Sequence, residues 1–245
     1  RSASEPTQYA YTDSADGAAR HWMPWVDSAD ARSYFTLELR AAGSPCGAEI
    51  VAFAGGSSSK SPPPEGGWRF VHARPVRPSQ VGFLIGYASR LQSVAHPGLA
   101  TSTLVLGLVP PPPPPPITHA AAANKAFAHR ELWPRFLFLG RVLCDVRHFL
   151  LRELSGAGHD DDGATEAYAP THDPFESLVV AAVDGLCRDS LSFGGLILVS
   201  TEALHCPDEF EMHRPAREML ALALGRSYLD GGRRLATVEE AGWLA

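Results

Sequence analysis

The chain is 245 residues long, with a formal net charge of −6, 45% hydrophobic residues and 20% charged residues. That length and composition describe a folded protein with ample core and exclude a disordered chain. The acidic balance excludes a general nucleic-acid-binding surface on this stretch and leaves room only for a local basic patch.

No apolar run approaches the ~18 residues that span a bilayer, and no charged-then-apolar leader opens the chain, so no membrane contact is expected. The first residue is Arg1 rather than Met, and the sequence reads as an incomplete segment of a longer protein. The four cysteines, Cys46, Cys144, Cys187 and Cys206, are widely spaced. With no C-x-x-C pair among them, they fit free thiols in a reducing compartment, nuclear or cytoplasmic.

Residues 1–109 read as β-rich. "SYFTLEL" alternates, with Phe35, Leu37 and Leu39 on one face and Tyr34, Thr36 and Glu38 on the other, as in a half-buried strand. "AEIVAFA", "GWRFVHA", "VGFLIGYA" and "STLVLGLV" are short β-prone runs punctuated by Gly, Ser and Pro, and "GGSSSKSPPPEGG" between two of them is a surface loop. Seven consecutive prolines, Pro110–Pro116, follow within a linker or loop over residues 110–120. The run forms a stiff polyproline helix, either a spacer or a ligand for a proline-binding module.

Residues 121–245 change period. The stretch from "AAAANKAFAHRELW" to "VRHFLLREL" has helical spacing, broken near Pro134. The acidic "SGAGHDDDGATEAYAP" is a loop, "SLVVAAVDG" and "GGLILVS" are buried strands, and Arg214–Leu229 is a helix with Pro215 in its first turn. The sequence thus predicts an α+β chain, with an all-β first domain and an α/β second domain.

Local catalytic signatures are missing. A zinc peptidase helix needs two His four residues apart with a Glu to activate water. None of the ten histidines lies within four residues of another. "HDDD" at His159–Asp162 is an acidic loop run, which water ordinarily solvates. No G-x-S-x-G elbow, Walker loop or G-x-G-x-x-G fingerprint is present.

Three stretches nevertheless carry a resemblance. "ARHWMPWVDSADARSYFTLEL" (Ala19–Leu39) resembles the A-R-x-x-F-P-C-F-D-E-P-x-x-K-A-x-F signature in the β-rich N-terminal domain of gluzincin zinc aminopeptidases. Ala19, Arg20, Pro24, Asp27, Arg32 and Phe35 fall in register. "WMPWVDS" is similar to the W-F-P-C-V-D-S form in the aminopeptidase-like subunits of the general transcription factor TFIID, and "PVRPSQVGFLIGYAS" to the strand that closes the first domain. "SFGGLILVSTEALH" resembles the strand that starts G-A-M-E-N in active enzymes, with those positions on Asp189–Phe193 and Ser192 in place of the amine-binding Glu. The helix "RPAREMLALALGRSYLDGG" resembles the zinc helix H-E-L-A-H-Q-W-F-G, with Leu222 and Arg226 in place of the two His and Ala223 in place of the general-base Glu. "GWLA" resembles the start of W-L-N-E-G, which places the third ligand just past Ala245.

The resemblance implies a β-rich saddle-type domain followed by a thermolysin-like α/β domain whose zinc ligands have become core residues. It implies no catalysis, no cofactor and no metal. Its TFIID form further implies a nuclear scaffold with other TFIID subunits, the TBP-associated factors, as partners. It also implies contact with core-promoter DNA through the full-length protein, in RNA polymerase II initiation. The alternatives are a zinc-dependent aminopeptidase and a polyproline-bearing interaction protein.

Overall fold

In the computed structural model, the described residues are 9–13, 18–25, 31–40, 49–59, 67–87, 91–95, 102–107, 135, 138–150, 177–183, 185–186, 188–201 and 210–232. The proline run, the "HDDD" loop, Cys46, Cys187, Cys206 and "GWLA" lie outside them.

Among the described residues, eleven strands form three sheets. Strands β1 (Tyr9–Tyr11), β3 (Ile50–Ala54) and β6 (Phe83–Tyr87) make an antiparallel sheet with β6 in the centre. A second antiparallel sheet joins β2 (Thr36–Arg40), β5 (Gly67–Val71) and β4 (Ser57–Ser59). The third has five strands in the order β10 (Ser190–Ser192), β11 (Leu196–Ser200), β9 (Leu178–Val183), β8 (Ser102–Gly107) and β7 (Leu91–Ala95). Its inner pairs, β11 with β9 and β9 with β8, are parallel, and both outer pairs are antiparallel.

Among the described residues, two helices, α1 (residues 138–150) and α2 (Phe210–Gly232), pack on one face of the five-stranded sheet. Parallel strands covered on both faces read as continuous apolar runs, and "LVVAAV" in β9 is buried at all six positions. Alternate residues along it serve different layers. Leu178, Val180 and Ala182, with Ile197 and Val199 of β11, meet Leu143, Leu220, Leu224 and Tyr228 of the helices. Val179, Ala181 and Val183, with Leu196 and Leu198, meet Leu84 of β6 and the half-buried Tyr11, Val51 and Phe53.

The first sheet is itself covered twice. Leu84 faces the five-stranded sheet, while Phe83 and Ile85 pack with Leu37, Leu39, Trp68 and Phe70 of the second sheet. The order is therefore helices, five-stranded sheet, first sheet, second sheet. Each larger side chain buried in these layers contributes ~1.5–3 kcal/mol. The two helices are tied by Arg147, whose Nε donates to the buried Tyr228 hydroxyl at 3.1 Å.

The expected α+β architecture is present, a β-rich part followed by an α/β part. Two details differ from the sequence-based expectation. Strands β7 and β8 precede residue 109, within the expected first domain, yet β8 pairs in parallel with β9, as in Leu104 opposite Val180. Local pattern cannot report a partner so far along the chain, so the edge of the five-stranded sheet falls before β7. Helix α2 starts at Phe210, four residues earlier than expected, and Pro215 lies inside it rather than in its first turn.

Candidate functional site

The site singled out by sequence lies where β10 meets α2. Strand β10 is a three-residue edge strand, paired antiparallel with β11 through Ser190–Val199, Leu191–Leu198 and Ser192–Ile197. Leu191 points into the core at 1% exposure, so pleating directs the half-buried Ser190 and Ser192 to the other side. Ser200 donates its N–H to the Asp189 carbonyl at 3.0 Å and closes the end of the hairpin.

Two hydroxyls fasten the helix to this strand. Ser192 Oγ donates to the Ala223 carbonyl at 2.9 Å. Ser227 Oγ, buried at 2% exposure, donates to the Phe193 carbonyl at 2.7 Å. The structure thus brings together Ser192 and Ala223, the positions that the resemblance equates with the amine-binding Glu and the general-base Glu. The spacing of Ala223 and Ser227, one helical turn apart, matches the strand they bond.

Leu222 and Arg226 lie elsewhere on the helix. Ala216, Leu220, Ala223, Leu224, Ser227 and Tyr228 form the stripe turned to the sheet. Leu222 stands two residues past Leu220, about 200° round the helix, and is 56% exposed. The expectation that Leu222 became a core residue is therefore corrected: side-chain hydrophobicity suggested burial, and helical phase overrides it. Arg226 is exposed on the same outward side. Towards the start of α2, Arg214 pairs with Glu218 at 2.7 Å, an exposed i,i+4 pair.

The chemistry of these four positions does not fit a zinc ion. Leu222 and Ala223 carry no donor atom, Arg226 carries only cationic donors, and the Ser192 hydroxyl is committed to a carbonyl. Among the described residues no three His, Cys, Asp or Glu come together in a group able to hold a metal.

The turn after β10 is built on close backbone approach. Gly194 donates its N–H to the Gln80 carbonyl at 2.8 Å. A Cβ on Gly55, in the turn between β3 and β4, would lie 1.9 Å from the Gly194 carbonyl oxygen. A Cβ on Gly82 would strike the Phe193 ring at 2.3 Å, and Gly195 adopts φ +92°. Ser177 Oγ adds a bond to the Gly56 carbonyl at 2.9 Å. Sequence reading saw only glycines bounding strands; the signal it missed is that "GG" at Gly55–Gly56 and "GG" at Gly194–Gly195 meet.

A concavity of about 560 Å³ lies along α1, away from that junction, and is lined by Cys144, Asp145, His148 and Phe149. Cys144 is in no disulfide among the described residues. Burial first, and then the Asp145 charge, push its pKa up, so the thiol holds its proton and is a poor nucleophile or ligand.

No protein-family profile matches the sequence, and no curated protein matches it. Solved structures do. Native LTA4 hydrolase from yeast superposes with a TM-score of 0.53 at 14% identity, over 90% of this chain and 26% of that one. A two-domain M1 zinc metallopeptidase bound to L-arginine gives 0.51 at 17% identity, over 93% of this chain and 41% of that one. An M1 zinc metallopeptidase from Deinococcus radiodurans gives 0.50 at 15% identity, over 90% of this chain and 40% of that one. The chain thus spans about a quarter of the yeast hydrolase and two fifths of the M1 peptidases. Across that span it has the fold of M1 zinc aminopeptidases, a β-rich part joined to an α/β part.

Proposed function

We propose that the protein is a non-catalytic scaffold built on the aminopeptidase fold: subunit 2 of the general transcription factor TFIID, or a close counterpart. In this reading it acts in the nucleus among the TBP-associated factors. Its role is to contribute to core-promoter recognition and to assembly of the RNA polymerase II preinitiation complex. Contact with promoter DNA belongs to the whole protein, because the acidic balance of this stretch favours protein partners.

The observation that carries the reading is the contact between Ser192 and Ala223. In an active peptidase of this fold, the amine-binding carboxylate and the general base face the substrate from neighbouring elements. Here the aligned positions are neighbours, yet one holds a hydroxyl bonded to backbone and the other a methyl. A carboxylate that could take a proton from water is absent from both. The "WMPWVDS" run supports the TFIID form of this family over a hydrolase.

The test is affinity purification of the tagged protein from nuclear extract, followed by mass spectrometry. Recovery of TBP and its associated factors at stoichiometric levels supports the proposal, and their absence from a soluble, folded bait contradicts it. Arg226→Leu refines it: if exposed Arg226 offers its guanidinium to a partner carboxylate, recovery drops, whereas unchanged recovery removes Arg226 from the interface. The second reading, a zinc aminopeptidase, has the fold likeness in its favour and predicts hydrolysis of aminoacyl p-nitroanilides.

A further inference from the structure

Helix α1 has two faces. Leu139, Val142 and Leu143 enter the core shared with the five-stranded sheet and α2. Cys144, Asp145, His148 and Phe149, on adjacent turns of the other face, together line the concavity of about 560 Å³. Pockets for small organic ligands span about 300–1,000 Å³, so the space suits one.

Asp145 and His148 are exposed, and Phe149 is 54% exposed. Among the described residues Asp145 forms no ion pair, with Arg141 one turn before it or with any other cation. Burial, and after it the nearby Asp145 charge, keep the Cys144 thiol protonated, so Asp145 is the one anion of the described lining. The Arg147 charge acts on that thiol in the opposite sense, but Arg147 is buried, with its Nε on the Tyr228 hydroxyl.

We infer that this concavity is a binding site for an alkylammonium group: Asp145 and an unprotonated His148 ring nitrogen accept its N–H groups, and its hydrocarbon stem lies along Phe149. The chemistry selects the ligand class. An ammonium has three donors and no acceptor, and an unprotonated imidazole offers one acceptor in either tautomer. The bond to Asp145 is charge-assisted, and the same carboxylate repels carboxylates and phosphates. A metal ion is a poorer fit, because Cys144, Asp145 and His148 do not come together in a group able to hold one. The net charge of −6 draws cations towards the chain as a whole. The source of the group is a free amine or a lysine side chain of another polypeptide. This inference is independent of the TFIID reading and of whether the protein is catalytic.

The experiment is an NMR titration of the whole chain at constant ionic strength, following the amides of residues 144–149 and the His148 ring. The probes are n-butylammonium chloride, Nα-acetyl-lysine amide, sodium n-butanoate and zinc chloride. At least one of the two ammonium probes gives saturable shifts confined to α1, and n-butanoate gives none. The tighter of the two ammonium probes tells a free amine from a lysine side chain. Asp145→Asn, an exposed and nearly isosteric change, weakens that binding by about fivefold, and Phe149→Ala weakens it too. The inference is overturned by an absence of saturable shifts with both ammonium probes, by equal shifts with n-butanoate, or by unchanged affinity in Asp145→Asn. Zinc shifting the same resonances at lower concentration than either amine would make the site a metal site and overturn it as well.

Discussion

At the scale of single residues, two hydroxyl groups fasten α2 to the end of β10 at the candidate site. Ser227 is buried and its bond to the Phe193 carbonyl has no competitor from solvent. Ser227→Ala leaves that carbonyl unpaired, and urea unfolding is expected to show a loss of about 1–3 kcal/mol. Leu222→Gln, on the exposed outer side of the same helix, is expected to change stability by no more than ~0.5 kcal/mol. His72 supplies a pH dependence. Its pKa is about 4 in the folded protein against 6.5 ordinarily, so the unfolded chain takes up the proton first as pH falls. Stability is therefore full above pH 6.5 and declines between 6.5 and 4, by about 3 kcal/mol from this group alone. Unfolding midpoints at pH 7 and pH 4.5 measure it, and His72→Phe is expected to flatten the decline.

At the scale of elements, several pieces were legible because their signal is local. The alternation of "SYFTLEL" marks β2, and the unbroken "LVVAAV" and "LILV" mark β9 and β11 as strands covered on both faces. The stripe of α2 was legible as a helix, but which of its leucines faces inward was not, as Leu222 shows. Edge strands were the least visible. β1 and β10 are three residues each, too short for a period, and they exist because β6 and β11 offer them a ladder. The two Gly-Gly turns also escaped, since their meeting is a property of packing. Gly55→Ala would drive a methyl group into the Gly194 carbonyl, which is backbone and cannot swing aside. Overpacking of that kind costs about 1–3 kcal/mol or more, and thermal unfolding checks it.

At the scale of the whole molecule, the first sheet is the middle of a stack, buried against the five-stranded sheet on one face and the second sheet on the other. The β-rich and α/β parts therefore share the apolar layer between the first and the five-stranded sheets, and a single cooperative unfolding transition is expected in calorimetry. The overall class was readable from the switch of period along the chain. The membership of β7 and β8 was not, because parallel pairing with β9 joins segments about seventy residues apart and leaves no local trace. The likeness to M1 peptidases gives the fold. At the β10–α2 junction the Ser192 and Ser227 hydroxyls bond the Ala223 and Phe193 carbonyls.

The central claim is that this peptidase fold does no metal chemistry, and elemental analysis of the purified protein after mild dialysis tests it most directly. The account predicts zinc well below one equivalent per chain. One tightly held zinc per chain, accompanied by release of amino acids from aminoacyl p-nitroanilides, would contradict it.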